Sequence, residues 1–275
     1  MRSRSRVGVW AAVVALQLAL VLAPSARADA PPLPNSMAAI GDSISQAFDV
    51  CCWYGDHPGK SWSTGSDSDS ILSHYERILA ANPNIAGNEH NDSETGARMS
   101  DADGQAAGAV SQQAEYVTIL MGANDACTSS IDTMTPVPDF QAQFQAAMST
   151  LESGLPAGAH IFVSSIPNIY RLWNILHTNL FAEAVWAAAQ VCQSMLSPDN
   201  TRQDRLTVLA QVRAYNDVLA QVCGQYANCL FDGLATFGYK FTTSQVSKLD
   251  YFHPSVSGQS GLASVTWSAS WWPGT

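Results

Sequence analysis

The order of secondary structure along the chain limits the folds that it can adopt. Short apolar, β-prone runs alternate with helical stretches, and most of these runs stop at a turn containing Gly, Asp, Asn or Pro. Continuous apolar strands are typical of a parallel sheet that is covered on both faces. The predicted strands are residues 36–40, 115–121, 159–166 and 228–231. The predicted helices are residues 138–153, 180–196, 201–221 and 258–267.

This alternation predicts an α/β fold, a three-layer α/β/α sandwich with a central parallel sheet, because eight strand–helix repeats of a barrel do not fit in this length. Functional groups of such folds collect at the carboxyl ends of the strands. The turns 41–43 (Gly-Asp-Ser) and 122–125 (Gly-Ala-Asn-Asp) occupy that position. The long polar loops 61–70 and 87–103 are candidates for the walls of a site.

The N-terminus has the layout of a secretory signal peptide. Three arginines at positions 2, 4 and 6 precede an uncharged apolar run over residues 7–21, and small residues follow at 24–30. The run is shorter than the roughly 20 residues of a membrane-spanning helix, which disfavours an anchor. Cleavage fits after Ala28 or Ala30, and we favour Ala28. We therefore expect a signal peptide over residues 1–28 and a single secreted, extracellular domain over 29–275.

Removal of residues 1–28 takes away four arginines and no acid, so the count becomes 9 basic against 23 acidic side chains, a formal charge of −14 instead of −10. Such a surface repels phosphate polymers, which argues against nucleic acid and against anionic membranes as partners. The six cysteines all lie in the exported part, and an even count in an oxidising compartment predicts three disulfides. No zinc-ligand spacing is present, so we expect neither metal nor cofactor.

Two turns carry the residue types of nucleophilic ester chemistry. A serine hydroxyl attacks a carbonyl only when a neighbouring base takes its proton, and a carboxylate commonly orients that base. Ser43 follows a predicted strand, and Asp250 and His253 stand three residues apart near the C-terminus. The combination of the three residues predicts a serine hydrolase site.

Four sequence blocks in order resemble the SGNH (GDSL) hydrolase family. They are residues 41–43 (Gly-Asp-Ser), Gly96, residues 122–125 (Gly-x-Asn-Asp) and residues 250–253 (Asp-x-x-His). Further strings, SWSTGSD, GANDACTSS, SIPNIYRLW and DYFHPS, are similar to secreted actinobacterial members, including phospholipases of the A type and carboxylesterases. The resemblance implies a flavodoxin-like sandwich with about five parallel strands and no metal.

The resemblance also implies a role for each matching position. Ser43 would be the nucleophile, and its backbone N–H would be one donor of the oxyanion hole. The backbone N–H of Gly96 and the side-chain amide of Asn124 would be the other donors. His253 would be the base, oriented by Asp250 or, as in some members, by a backbone carbonyl. The chain lacks Gly-x-Ser-x-Gly, which removes the nucleophile elbow of α/β-hydrolases as an alternative.

The cysteine pairing is a hypothesis built partly on related sequences. Cys223 and Cys229 flank a short loop after a long helix and can close locally. Cys127 directly follows the Asn124 block, and Cys192 is the remaining cysteine with suitable reach; similar sequences carry cysteines at both places. This leaves adjacent Cys51 and Cys52, whose bond would be strained and rare.

Three functions fit these residues. The first is a lipolytic esterase acting as a monomer on acyl esters or phospholipids, without a stable membrane anchor. The second is a carbohydrate esterase that removes acetyl groups from polysaccharides. The third is a binding module with an inactive site, in which tryptophans such as Trp271 and Trp272 stack on sugars. The resemblance favours the first, and the intact Ser43, Asn124 and His253 argue against the third.

Overall fold

A computed structural model describes residues 30–67 and 70–274 of the chain. Residues from Pro31 to the C-terminus form one compact unit. The predicted signal peptide, residues 1–28, lies outside the described residues. None of the helices in the described ranges is long and apolar enough to cross a membrane.

The described residues contain a five-stranded parallel sheet in the order β2-β1-β3-β4-β5. Its strands are β1 (Met37–Gly41), β2 (Glu89–Asn91), β3 (Tyr116–Leu120), β4 (His160–Val163) and β5 (Cys229–Phe231). The first connection runs from β1 to the edge strand β2, and the chain then crosses back to β3. Since strand order reverses at β1 and β3, their carboxyl ends border the crevice where sites of open α/β sheets lie.

Helices surround this sheet and make two separate apolar cores. They are α1 (His74–Ala81), α2 (Ala102–Ser111), α3 (Ala123–Ala126), α4 (Val137–Gly154), α5 (Ile169–Leu176), α6 (Leu180–Ala188), α7 (Gln193–Leu196), α8 (Arg202–Cys223), α9 (Ala235–Gly238) and α10 (Val256–Ser268). Short 3-10 turns cover Pro58–Lys60, Pro83–Ile85, Met99–Asp101, Ile131–Thr133 and Thr243–Gln245. Alternate strand residues divide between the faces: Val117 packs with α2, α4 and α8, whereas Tyr116 packs with α1 and α10. The predicted three-layer α/β sandwich is confirmed.

Three local predictions differ from the structure. Strand β2 lies inside the region predicted as loop 87–103. The predicted helix 180–196 is two helices, α6 and α7, separated by left-handed residues Gln190 and Cys192. Loop 61–70 is not a wall of the site over its described part, because Trp62 and Ser63 are buried and bonded to Ser45 and Thr118.

Two disulfides connect described residues, Cys127–Cys192 and Cys223–Cys229, as the sequence analysis predicted. The predicted Cys51–Cys52 bond is wrong, because the thiol of Cys52 is free and exposed. Adjacent Cα atoms are about 3.8 Å apart, which is closer than the roughly 4.4–6.8 Å of ordinary disulfides. The two bonds that form fit an oxidising compartment.

Candidate active site

Ser43 lies in a tight turn immediately after β1. The Asp42 carboxylate accepts a hydrogen bond from the Ile44 N–H at 2.9 Å, and the Asp42 carbonyl accepts one from the Ser45 N–H at 3.0 Å. Gly41 is required here, since a Cβ atom would lie 2.5 Å from the Ser45 hydroxyl and 2.8 Å from the Leu120 carbonyl. The chain therefore turns sharply at the carboxyl end of the sheet and presents the Ser43 hydroxyl beyond it.

A loop near the C-terminus carries the histidine, and we call residues 246–254 the histidine loop. Val246 and Pro254 pair as an antiparallel bridge at its base, and the Ser247 N–H donates to the His253 carbonyl at 2.8 Å. The Ser247 hydroxyl also donates to the Asp49 carbonyl. These bonds fix the loop against the segment that follows Ser43.

Three predicted catalytic residues form one chain of hydrogen bonds. Nε2 of His253 lies 2.7 Å from the Ser43 hydroxyl, and Nδ1 of His253 bonds to the Asp250 carboxylate. A carboxylate only accepts, so Nδ1 carries the proton and Nε2 is left to accept the proton of Ser43. The orienting group is therefore the Asp250 side chain and not a backbone carbonyl.

The surroundings of Asp250 keep it ionised. Burial acts to raise the pKa of this carboxyl, but the hydrogen bond and the charge of His253 act against it. The N–H groups of Phe252 and His253 also donate to the same carboxylate, at 2.8 and 3.1 Å. The result is a pKa below the ordinary value for an aspartate. A negative Asp250 favours the protonated imidazole that forms when His253 takes a proton.

Asp42 behaves in the opposite way. Complete burial raises the pKa of its carboxyl to about 7, an effect that the Ile44 N–H and the charge of His253 only partly offset. Within the described residues, its second carboxylate oxygen has no hydrogen-bond partner. Asp42 thus supports the turn but lies outside the Ser43–His253–Asp250 chain.

The other two predicted site residues, Gly96 and Asn124, are connected through Ala97, the residue that follows Gly96. Residues 92–97, which we call the glycine segment, run along this strand, and the Glu94 N–H donates to the Gly41 carbonyl at 3.2 Å. Gly96 has a φ of +88°, which favours glycine, and it is exposed. The Asn124 amide donates to the Ala97 carbonyl at 2.9 Å. One hydrogen of that amide therefore bonds the turn 122–125 to the glycine segment.

An apolar cleft opens beside His253. Its cavity volume is about 60 Å³. Its lining residues come mainly from α5, from the segment before α10 and from the histidine loop; they include Ile169, Arg171, Leu172, Phe241, Val246 and Phe252. The Arg171 guanidinium donates through Nε to the Phe241 carbonyl at 3.2 Å, which places a cation at this cleft.

Sequence reasoning missed several supporting residues. Gln105 on α2 accepts from the Gly41 N–H at 2.8 Å and donates to the Gly41 carbonyl at 3.0 Å, so it holds the strand end before Ser43. The rings of Phe48 and Phe252 each lie 5.0 Å from the His253 ring. In the sequence, Gln105 is distinguished only as a glutamine in a helical stretch that is otherwise rich in alanine and glycine. The aromatic neighbours of His253 had no signal beyond their apolar character.

Two other predictions can be compared with the structure. Trp272 is buried and packs against Tyr116 and Trp267, so it is part of a core and not a sugar platform. Across the described ranges 30–67 and 70–274, no group of three or more His, Cys, Asp or Glu side chains is arranged to hold a metal ion.

Comparisons with known proteins bear on the fold and on the family. No curated protein matches the sequence. Among solved structures, the acetyl xylan esterase AlAXEase superposes with a TM-score of 0.53 at 15% identity, covering 85% of this chain and 98% of that chain. A Parabacteroides merdae ATCC 43184 protein described as a GDSL-like lipase gives a TM-score of 0.52 at 13% identity, with coverage of 88% and 98%. These likenesses concern the fold. Residues 37–265, however, match the model of GDSL-like lipases/acylhydrolases, so the chain belongs to this hydrolase family.

Proposed function

We propose that this protein is a secreted, monomeric serine ester hydrolase of lipolytic type, which acts on acyl esters including glycerophospholipids. The observation that carries the proposal is the continuous hydrogen-bond chain from Ser43 through His253 to Asp250. The nucleophile, the base and the group that orients the base are all present in bonding geometry, which is the arrangement that ester hydrolysis requires.

In the proposed reaction, Oγ of Ser43 attacks the ester carbonyl while its proton moves to Nε2 of His253. The negative oxygen that forms is held by the backbone N–H groups of Ser43 and Gly96 and by the side-chain amide of Asn124. His253 then gives its proton to the leaving alkoxide, and the C–O bond of the ester breaks. Water then attacks the acyl carbon while His253 takes one of its protons. The bond between the acyl carbon and Oγ of Ser43 breaks, the carboxylic acid leaves, and His253 returns the proton to Oγ.

The apolar cleft supports an acyl chain as the bound part of the substrate. Its lining side chains are mostly aliphatic or aromatic, and it begins at His253, where the ester would react. Burial of each CH₂ group there would contribute about 0.8 kcal/mol, so binding would increase with chain length. Arg171, a cation at this cleft, is suited to a phosphate group of the substrate.

The alternative is a carbohydrate esterase that removes acetyl groups from polysaccharides. A substrate panel separates the two: p-nitrophenyl acetate, butyrate, octanoate and decanoate, phosphatidylcholine, and acetylated xylan. The lipolytic proposal expects kcat/KM to rise from acetate toward the longer esters and fatty acid to be released from phosphatidylcholine. Hydrolysis of acetylated xylan with no gain from chain length would select the carbohydrate esterase instead.

A cleft variant tests the same proposal. Leu172→Trp should narrow the cleft and lower kcat/KM for decanoate at least tenfold, while acetate hydrolysis stays within threefold of wild type. Leu234→Ser, an exposed position beyond β5 at the edge of the sheet, is the matched control and should change neither rate. If Leu172→Trp lowered kcat/KM equally for acetate and decanoate, the cleft would not be the binding site of the acyl chain.

A further inference from the structure

Large apolar side chains are exposed at two places near the candidate site. Trp53 and Tyr54 are 66% and 70% exposed, and Leu180 and Phe181 are 78% and 74% exposed. No other large apolar side chain in the described part of the chain is as exposed. Single exposed apolar residues are common, but pairs of exposed aromatic or aliphatic side chains beside an active site indicate a surface that binds an apolar partner.

The first pair stands in a loop, residues 51–56, that contacts both sides of the site. The Tyr54 hydroxyl donates to the Leu249 carbonyl in the histidine loop at 3.2 Å. Two residues further on, Asp56 accepts a hydrogen bond from the hydroxyl of Thr95 in the glycine segment. The loop that carries Trp53 and Tyr54 is therefore bonded both to the histidine loop and to the glycine segment.

The second pair is attached to the same histidine loop. Leu180 and Phe181 occupy the first turn of α6, on the exposed side of that helix. On its buried side, the indole N–H of Trp186 donates to the Tyr251 carbonyl at 3.1 Å. The loop that carries Trp53 and Tyr54, and the helix that carries Leu180 and Phe181, are thus each hydrogen-bonded to the loop that carries His253.

The charge of the segments that carry these pairs limits the kind of apolar surface that they can bind. The loop 51–56 and the segment 179–188 contain one aspartate, one glutamate and no lysine or arginine. Anionic lipid surfaces are bound through clusters of basic residues, which these segments lack. Tryptophan and tyrosine favour the boundary between lipid headgroups and acyl chains. The surface therefore fits a lipid layer without net charge.

We propose that Trp53, Tyr54, Leu180 and Phe181 dock this enzyme onto a zwitterionic phospholipid surface, with the opening of the active site facing the lipid. This inference rests on the proposed lipolytic function and deepens it. Docking by shallow insertion of apolar side chains is a known mode of reversible membrane association. It would bring the ester of a lipid molecule to Ser43 without a membrane anchor.

The test measures binding separately from hydrolysis. Two variants of the mature chain are compared: one carries Ser43→Ala only, and the other carries Ser43→Ala together with Trp53→Ser and Phe181→Ser. Each is mixed with phosphatidylcholine vesicles, and the vesicles are sedimented. We expect the double substitution to lower the partition coefficient at least tenfold, whereas Leu234→Ser in the same background leaves it unchanged. In the chain with Ser43 intact, the double substitution should keep kcat/KM for soluble p-nitrophenyl butyrate within twofold. If the double variant does not fold, Leu180→Ser with Phe181→Ser replaces it.

Four results would overturn the docking proposal. The first is that the protein does not bind phosphatidylcholine vesicles, and the second is that the substituted chain binds them equally well. The third is that binding requires added phosphatidylglycerol. The fourth is that the protein is retained on insoluble acetylated xylan through the same side chains. The proposed function has a separate readout. Vesicle binding that requires Trp53 and Phe181, without release of fatty acid by the active enzyme, would support docking and contradict phospholipid hydrolysis.

Discussion

At the scale of single residues, Asn124 connects its own turn to the glycine segment. One hydrogen of its amide is committed to the Ala97 carbonyl, and in the proposed reaction the second bonds the oxyanion. We predict that Asn124→Ala lowers kcat about 100- to 1,000-fold, because loss of one oxyanion donor typically costs about 3–4 kcal/mol. Steady-state kinetics on p-nitrophenyl butyrate measures this.

Asn88→Ala is the control for that substitution. The Asn88 amide also donates to a backbone carbonyl, that of Asn35 at 3.1 Å, but it lies at the amino end of β2, away from the site. The Asn88→Ala variant should keep its kcat within threefold of the wild-type value. A kcat for Asn124→Ala within tenfold of wild type would remove this side chain from the oxyanion hole.

Asp42 leads to a prediction about pH and stability. Its pKa of about 7 in the folded state lies above the ordinary 3.8. A raised carboxyl pKa contributes stability that is fully present below pH 3.8 and is lost as the pH rises through about 7. Asparagine does not titrate, so the stability of Asp42→Asn relative to wild type should improve by on the order of 3 kcal/mol between pH 4.5 and pH 8. Urea unfolding of both proteins at the two pH values measures this difference, and a difference that stays constant or falls with pH would contradict it.

Individual site residues were predictable where a motif carries them. Ser43, Asn124 and His253 stand in short blocks whose order is distinctive, so local sequence was enough to select them. Gln105 was not predictable in the same way, because its partner, Gly41, is 64 residues away and a single glutamine does not indicate which backbone it will meet. Contacts of this kind arise only from the folded topology.

At the scale of secondary structure, the apolar strands were predicted and the polar one was missed. Strand β2 consists of Glu89, His90 and Asn91 at an edge of the sheet, where it pairs only with β1. It therefore lacks the continuous apolar run that marks a central strand. Residues 180–196 are rich in helix formers, which favours one helix, but Cys192 is held by Cys127 from a distant part of the chain. Tertiary contacts of this kind override local propensity.

The same disulfide gives a prediction for the element that carries Asn124. Cys127–Cys192 closes a sequence separation of 65 residues and Cys223–Cys229 one of 6. Replacing the first pair with alanine should lower the free energy of unfolding by about 4 kcal/mol, and replacing the second by about 2 kcal/mol, since loop entropy grows with loop length. Denaturant unfolding without reductant compares the two variants. An equal or larger loss from the second pair would contradict the argument.

At the scale of the whole molecule, the sandwich and the parallel sheet were predictable because alternating strands and helices permit few other layered folds. The position of β2 at the sheet edge was not, since strand order depends on packing between distant segments. Ser43 and His253 are 210 residues apart in the sequence, yet their side chains are hydrogen-bonded in the structure. The fold thus brings distant family blocks to the carboxyl edge of the sheet; the blocks are residues 41–43, 96, 122–125 and 250–253.

Export is a prediction for the full chain. When the protein is expressed with its own N-terminus in a secreting bacterium, the form in the medium should begin at Asp29 and lack residues 1–28. Intact mass and N-terminal sequencing of the secreted form measure this. A protein that keeps Met1, or that stays in the membrane fraction, would contradict the predicted signal peptide.

The proposed role of Ser43 as the nucleophile is tested by comparing the activity of Ser43→Ala with that of Ser45→Ala. Ser45 is also buried and lies in the same turn, but its hydroxyl accepts from the Trp62 indole and does not contact His253. We expect Ser43→Ala to fold and to retain less than about one part in a thousand of wild-type kcat/KM for p-nitrophenyl butyrate, whereas Ser45→Ala should stay within tenfold of wild type. Activity of Ser43→Ala above that level, in a folded protein, would show that Ser43 is not the nucleophile.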